Sequence, residues 1–169
     1  QLSAQPALPV WDSASREEFL AMLGHGEGTL LTLNLMGAVG LLTRCIPQFE
    51  AITGRPQYDT YHAFTLDMHL FLTVAELGDL RGGKYAREYP EITEIMRGIR
   101  EVHLLFLAGL LHDLGKGVEG HHPTVGADMA LSIIRQMGLE EDGVQTVHFL
   151  MANHDQMVRT AQRRDMHDE

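Results

Sequence analysis

The sequence has a single cysteine, Cys45, among its 169 residues, and it contains no long apolar run. One cysteine excludes an internal disulfide and fits a reducing compartment such as the cytoplasm. No run reaches the roughly 18–20 apolar residues that cross a bilayer. No signal-peptide pattern is visible either, so we expect no membrane anchor and no membrane partner.

Positive charge is also scarce. The chain has 13 Lys and Arg against 23 Asp and Glu, which gives a formal net charge of −10. Proteins that coat nucleic acid gather cations to neutralise phosphates, so we expect no nucleic-acid partner. A phosphate ester remains possible as a substrate, because two bound divalent metal ions would add about four positive charges within a site.

The alternating apolar and polar positions that are typical of strands are absent, and apolar residues recur at helical spacing. We therefore predict an all-α fold of roughly seven helices. Their predicted ranges are 15–23, 29–45, 65–77, 91–114, 123–137, 140–154 and 159–165. Residues 1–14 are interpreted as a linker or arm, and residues 15–169 as one domain. Because the chain begins at Gln1 and ends on a polar stretch, we expect a fragment of a larger multidomain protein.

The pair His112-Asp113 follows an apolar run, residues 104–111, that predicts a buried helix. A polar pair at a buried helix end is unfavourable unless its members are paired or ligated. One interpretation is a helix-end ion pair. The other is coordination of a divalent cation, for which imidazole nitrogen and carboxylate oxygen are both suitable ligands.

Further residues with ligand chemistry lie on separate predicted elements, and helix ends in a bundle can converge on one point. These residues are His69, His122, His154 and Asp165. Their number favours the metal hypothesis over an isolated ion pair. His121, beside His122, is an alternative ligand or a partner of the ligand.

The segment Leu110-Leu111-His112-Asp113-Leu114-Gly115-Lys116, with His69 before it and Asp165 after it, resembles the HD superfamily of metal-dependent phosphohydrolases. The resemblance implies a single HD-type helical bundle with two divalent metal ions (Mn, Fe, Zn or Co, with Mg possible). It also favours His122 over His121. The implied ligands are His69, His112, Asp113 and Asp165 for one ion, and Asp113, His122 and His154 for the other.

Two more segments are similar to the uridylyl-removing branch of that superfamily. They are residues 57–69, QYDTYHAFTLDMH, and residues 153–165, with Asn153-His154 and Ala161-Gln162-Arg163-Arg164-Asp165. The resemblance covers about residues 35–169. It implies a nucleotide phosphate ester as substrate, namely the bond between UMP and a tyrosine of the PII nitrogen-signalling protein. The Gly-rich stretch at 78–84 departs from the pattern and bears on the substrate more than on the metal chemistry.

Lys116 is the one cationic candidate near the His-Asp pair. It would hold a phosphate oxygen or assist the leaving group, and the alternative is a solvated lysine at a helix C-terminus. With Asp113 it forms the predicted catalytic pair.

Four residues are candidates for substrate binding. Arg163 and Arg164 precede Asp165, where an arginine would bind the nucleotide phosphate bidentately, orient Asp165 or lie at the surface. His62 and Asp59 lie just upstream of His69 and would line the substrate pocket.

Three functions are consistent with these features. The first is removal of UMP from uridylylated PII. The second is hydrolysis of small or cyclic nucleotides by the same metal chemistry. The third is a non-catalytic regulatory helical module. The complete set of six predicted ligands favours an enzyme over the third.

Overall fold

The computed structural model of the chain describes residues 11–56, 64–117 and 122–163, with the backbone alone at 122, 123, 162 and 163. Within these residues there are nine α-helices, two short 3-10 helices and no strand. The all-α prediction is therefore confirmed. None of the helices in the described ranges is both long enough and apolar enough to span a membrane.

The helices follow one another with short connections. The α-helices are α1 (Ser13–Met22), α2 (Glu27–Ala38), α3 (Leu41–Cys45), α4 (Leu66–Gly82), α5 (Pro90–Gly98), α6 (Val102–Leu111), α7 (His122–Gln136), α8 (Glu141–Ala152) and α9 (Gln156–Arg163). The two 3-10 helices are Pro47–Ala51 and Leu114–Gly117.

Helix α6 is the centre of the fold, because it is apolar on all sides and seven of its ten residues are buried. A helix without a polar face must be covered by other helices. It packs against α4, α8 and α1. The functional candidates lie where these neighbours meet the C-terminal end of α6, so the core itself determines their position.

Close helix contacts hold α4 and α7 near that end. An added Cβ at Gly109 of α6 would lie 2.9 Å from Leu77 of α4, and one at Gly126 of α7 would lie 3.0 Å from the backbone nitrogen of Gly115. A side chain at either position would displace its neighbour, more easily at Gly109, where that neighbour is the end of the Leu77 side chain, than at Gly126, where it is backbone. Glycine therefore lets α4 and α7 approach the turn that follows α6.

Two of the roughly seven predicted helices are each divided in the structure, which gives nine α-helices within the described residues. The helix predicted over 29–45 is divided at Gly40, which has a φ of 70°. A residue in this left-handed conformation ends a helix, and glycine adopts it without a steric penalty.

The helix predicted over 91–114 is likewise two helices, α5 and α6. Ile99 takes an extended backbone conformation, and the Arg81 side chain donates hydrogen bonds to the carbonyls of Ile99, at 3.0 Å, and Met96. These bonds satisfy carbonyls that would otherwise be without partners at the end of α5. Apolar periodicity alone does not reveal such a break, because both helices remain apolar on their core side.

Two other predicted boundaries are wrong. Helix α1 begins at Ser13, before the predicted start at residue 15, and its capping box joins Asp12 and Ser15: the Ser15 backbone nitrogen donates to Asp12 Oδ1 at 2.7 Å. Trp11 also packs edge-on against Phe19, so ordered packing begins before residue 15. Helix α4 continues beyond its predicted end at residue 77 to Gly82, and Gly83 is its C-cap residue.

Gly78 lies inside α4, where it allows the loop at Gly26 to approach. A Cβ at Gly78 would lie 2.7 Å from the Gly26 backbone nitrogen. Because backbone cannot yield as a flexible side chain does, we expect Gly78→Ala to lower the free energy of unfolding by about 1–3 kcal/mol.

The matched control is Gly82→Ala in the same helix, where a Cβ would meet nothing within 4 Å. This change is expected to be neutral or to stabilise by up to about 1 kcal/mol, since alanine favours helix over glycine. Urea unfolding of both variants measures the difference. Equal stability of the two variants would contradict the close contact.

Candidate metal centre

Asp113 lies at the base of the candidate site, directly after the C-terminal end of α6. His112 is the C-cap residue of that helix, and the neighbours Leu111 and Leu114 are buried. The side chain of Asp113 is itself buried, with 2% of the residue exposed. A carboxylate in this position requires partners, because burial disfavours its charge.

Three imidazoles and one ammonium group face the Asp113 carboxylate. Oδ2 lies 3.5 Å from His69 Nε2, 3.4 Å from His112 Nε2 and 2.8 Å from Lys116 Nζ. The other oxygen, Oδ1, lies 3.7 Å from His154 Nε2. Oδ2 therefore faces His69, His112 and Lys116, whereas Oδ1 faces His154 on the other side of the carboxylate.

These four partners come from different parts of the fold. His69 is in the first turns of α4, Lys116 is in the 3-10 helix that follows α6, and His154 follows α8 directly. The His112 ring lies edge-on to both other imidazoles, with centroids 5.3 Å from His69 and 4.9 Å from His154. Packing of α4, α6 and α8 thus brings together side chains that are far apart in sequence.

Two of the histidines are oriented by backbone carbonyls. His112 Nδ1 lies 2.8 Å from the Gly109 carbonyl oxygen, and His154 Nδ1 lies 2.7 Å from that of Met151. A carbonyl only accepts, so each Nδ1 carries the proton and donates it. The Nε2 atom of a neutral imidazole in this tautomer has its lone pair available for a metal ion.

The electrostatics of Asp113 favour a carboxylate anion. Burial by itself would raise its pKa, but in the metal-free protein the hydrogen bond and charge of His112, together with the bond and charge of Lys116, outweigh burial and hold the pKa well below its usual range. Its Oδ1 atom is buried without a hydrogen-bond partner among the described residues. A buried anionic oxygen of this kind is well suited to a cation.

The donor atoms fit a divalent metal ion. Ligand atoms of His69, His112 and Asp113 all lie within 4.8 Å of one another. Nitrogen and oxygen ligands at about 2.0–2.2 Å from one ion lie roughly 3–3.5 Å from each other. The observed distances of 3.4 and 3.5 Å from the two imidazoles to Oδ2 agree with that spacing.

The remaining predicted residues are not placed. Helix α7 begins at His122 and α9 ends at Arg163, but the side chains of both fall outside the described residues. The other predictions outside the described residues are Asp59, His62, His121, Arg164 and Asp165. Of the predicted ligands, the structure therefore brings together His69, His112, Asp113 and His154.

Sequence reasoning missed the carbonyls of Gly109 and Met151, which orient two of the histidines. Both precede their histidine by three residues, a spacing that a helix end provides. It also missed the role of Gly115, whose backbone α7 approaches closely through Gly126. No residue type marks a backbone acceptor, so only helix geometry reveals it.

Comparisons with known proteins agree with this geometry. Residues 74–168 match the family model described as HD domain, so His69 precedes the matched region. A bifunctional uridylyltransferase/uridylyl-removing enzyme of Nitrosococcus oceani is 39% identical over 157 residues, 93% of this chain and 18% of that protein. A protein of the same name from Caulobacter vibrioides is 37% identical over 168 residues, 96% of this chain and 18% of that protein.

The chain thus spans less than a fifth of the length of these curated relatives. No solved structure matches it at a significant level.

Measurement of metal binding tests the role of His154. The matched control is His148, a second histidine that lies in α8. We expect His154→Gln to lower Mn²⁺ affinity at least tenfold, because it removes the imidazole that faces Asp113 Oδ1. His148→Gln should leave the affinity unchanged, since His148 pairs with Asp128 at 3.3 Å. Titration calorimetry measures both, and equal affinities would exclude His154 as a ligand.

The depressed pKa of Asp113 predicts a pH-dependent stability in metal-free protein. The unfolded carboxyl has a pKa of about 3.9. Because the folded pKa is lower, the stabilisation is fully present above that value and is lost as pH falls below it.

We therefore expect wild type and Asp113→Asn to differ most in unfolding free energy above about pH 5, with a smaller gap near pH 3. Denaturant unfolding in EDTA at several pH values measures this gap. A gap that stays constant over this range would show that Asp113 is not stabilised as an anion.

Proposed function

This chain belongs to the HD domain family, a family of metal-dependent phosphohydrolases, and from that premise we propose that it removes UMP from uridylylated PII protein. The names of the relatives support the substrate, because each is called a uridylyl-removing enzyme. We propose that the helical domain, from Trp11 onward, supplies this hydrolytic activity, and that the protein acts in the cytoplasm.

The observation that carries the proposal is the two-sided environment of Asp113. One oxygen faces His69 and His112, while the other faces His154 and has no hydrogen-bond partner among the described residues. A single ion would need only one of these oxygens. A carboxylate with imidazoles on both sides is suited to bridge two ions, as in two-metal hydrolases.

The proposed ligand sets combine this arrangement with the resemblance to the HD superfamily. His69, His112 and Asp165 would hold one ion, His122 and His154 the other, and Asp113 both. The backbone supports a ligand at His122, since α7 begins there and lies against Gly115 one turn later. When bound, such ions supply a nucleophilic water at neutral pH and neutralise charge on the phosphate.

The protein's own groups bind and orient the substrate. Lys116 Nζ lies 2.8 Å from Asp113 Oδ2, and its side chain is about one-quarter exposed, so it faces the site and is not a fully solvated lysine. From there it would hold a non-bridging phosphate oxygen and stabilise the charge that develops in the transition state. Arg163, Arg164, His62 and Asp59 are proposed to contact the rest of the nucleotide.

The reaction is a hydrolysis at phosphorus. A bond forms between the water oxygen and phosphorus, and the bond between phosphorus and the tyrosyl oxygen breaks. The proton released by the water balances the phenolate, so the products are UMP and an unmodified tyrosine. No oxidant or second substrate is needed.

The direct test incubates the chain with Mn²⁺ and uridylylated PII and measures free UMP. We expect release by wild type and a kcat lower by about 10²-fold in Lys116→Ala, the size of effect seen when one charge-stabilising donor is removed. Lys84→Ala is the control, because Lys84 pairs with Asp79 and Glu27 outside the site.

An absence of UMP release with bound metal verified would refute PII as the substrate. Phosphate release from free mononucleotides under the same conditions would instead favour a small-nucleotide phosphohydrolase.

A further inference from the structure

An apolar groove begins at the candidate metal centre and runs along α4. Its volume is about 880 Å³, and His69 lies at one end as part of its lining. From His69 the groove follows one face of α4, through positions 72, 73, 76 and 77, to Leu80. The same imidazole therefore belongs both to the metal ligands and to the groove, which makes the groove continuous with the reaction site.

The far wall of the groove consists of exposed apolar side chains. Phe64 and Tyr89 are each 54% exposed and Ile92 is 52% exposed, and all three line it. Large apolar side chains gathered on one exposed surface typically mark an interaction site. Tyr85 forms a further part of the wall, and its hydroxyl donates to the Glu76 carboxylate.

The length of the groove distinguishes between possible occupants. The helix rises about 1.5 Å per residue, so the distance from His69 to Leu80 is about 16 Å. A strand rises about 3.3 Å per residue, so about five residues of extended polypeptide fill that length. A single nucleobase would occupy only the end next to His69.

The charge of the groove also restricts its occupant. Apart from His69, its charged side chains are Glu76 and Glu88, both acidic and both exposed. A phosphate is repelled there, whereas Lys116 and the proposed metal ions attract it at the other end. The groove therefore suits a neutral or cationic part of the substrate. That part would lie beyond the ester bond, away from the phosphate.

We propose that this groove binds the protein substrate: an apolar, extended segment with a cationic side chain, next to the residue that carries the nucleotidyl ester. The proposal rests on the proposed function and adds how the substrate is recognised. The metal centre acts on the phosphate, and the groove selects a protein ester over a small one. Ile92 is a specificity residue in this arrangement, not a catalytic one.

Helix α5 provides the test and its control. Ile92→Glu places a charge in the groove, whereas Ile95→Glu places the same charge on the same helix at a residue that is 69% exposed and does not line the groove. For each variant, kcat/KM is measured on two substrates: uridylylated PII and the p-nitrophenyl ester of UMP.

We expect the ratio of kcat/KM for the protein ester to that for the small ester to fall at least about tenfold in Ile92→Glu, the effect of losing one well-packed contact. The ratio should be unchanged in Ile95→Glu. An unchanged ratio in Ile92→Glu would contradict the proposed role of the groove. If kcat/KM fell equally on both esters, the damage would lie at the metal centre.

A second pair of variants tests the cationic side chain of the segment. Glu88→Lys reverses a charge in the groove, and Glu91→Lys reverses one just outside it. We expect KM for uridylylated PII to rise several-fold in the first variant only, with a smaller difference at high salt because screening weakens charge attraction. Equal KM values would exclude a cationic partner for Glu88.

The failure of this proposal differs from the failure of the proposed function. If wild type cleaves the small ester but releases no UMP from PII, the proposed substrate is wrong and the groove has no role with it. If wild type and Ile92→Glu release UMP from PII equally well, the function stands and only the groove is refuted.

Discussion

An ionised carboxylate at the end of an apolar helix is the feature on which the rest of the site depends. Burial opposes the charge of Asp113, and His112 and Lys116 reverse that effect. A buried charge is tolerated only where partners surround it. The fold therefore has to bring cationic and imidazole groups to this one point, and the neighbouring helices are placed so that it does.

Close packing around α6 provides that placement. Gly109 lies where α6 contacts α4, the helix that carries His69, and Gly126 allows α7 to lie against the turn at Gly115. The carbonyls of Gly109 and Met151 then fix two imidazole tautomers. Each of these contacts is a feature of packing, yet together they determine which nitrogen atoms point to the carboxylate. The contacts that form the core thus also position the residues of the site.

In the proposed function, the site and the groove have different parts in substrate recognition. Positive charge is concentrated at Lys116 and the proposed ions, while the groove is apolar with acidic residues at its edge. A phosphodiester between a nucleotide and a protein side chain has the matching distribution, with its negative charge at one point and neutral groups beyond it. His69 joins the two regions, because it lies in both.

The sequence by itself determined the helical class, the His112-Asp113 motif and the family, because helical periodicity and local motifs are properties of neighbouring residues. It also indicated His69 and His154 as partners, although only by pattern. The tertiary structure decided what depends on contacts between distant residues: the helix break at Ile99 held by Arg81, the uninterrupted α4 at Gly78, and the placement of Lys116 on Asp113. Only the tertiary structure reveals the groove that begins at His69, because its two walls come from different segments of the chain.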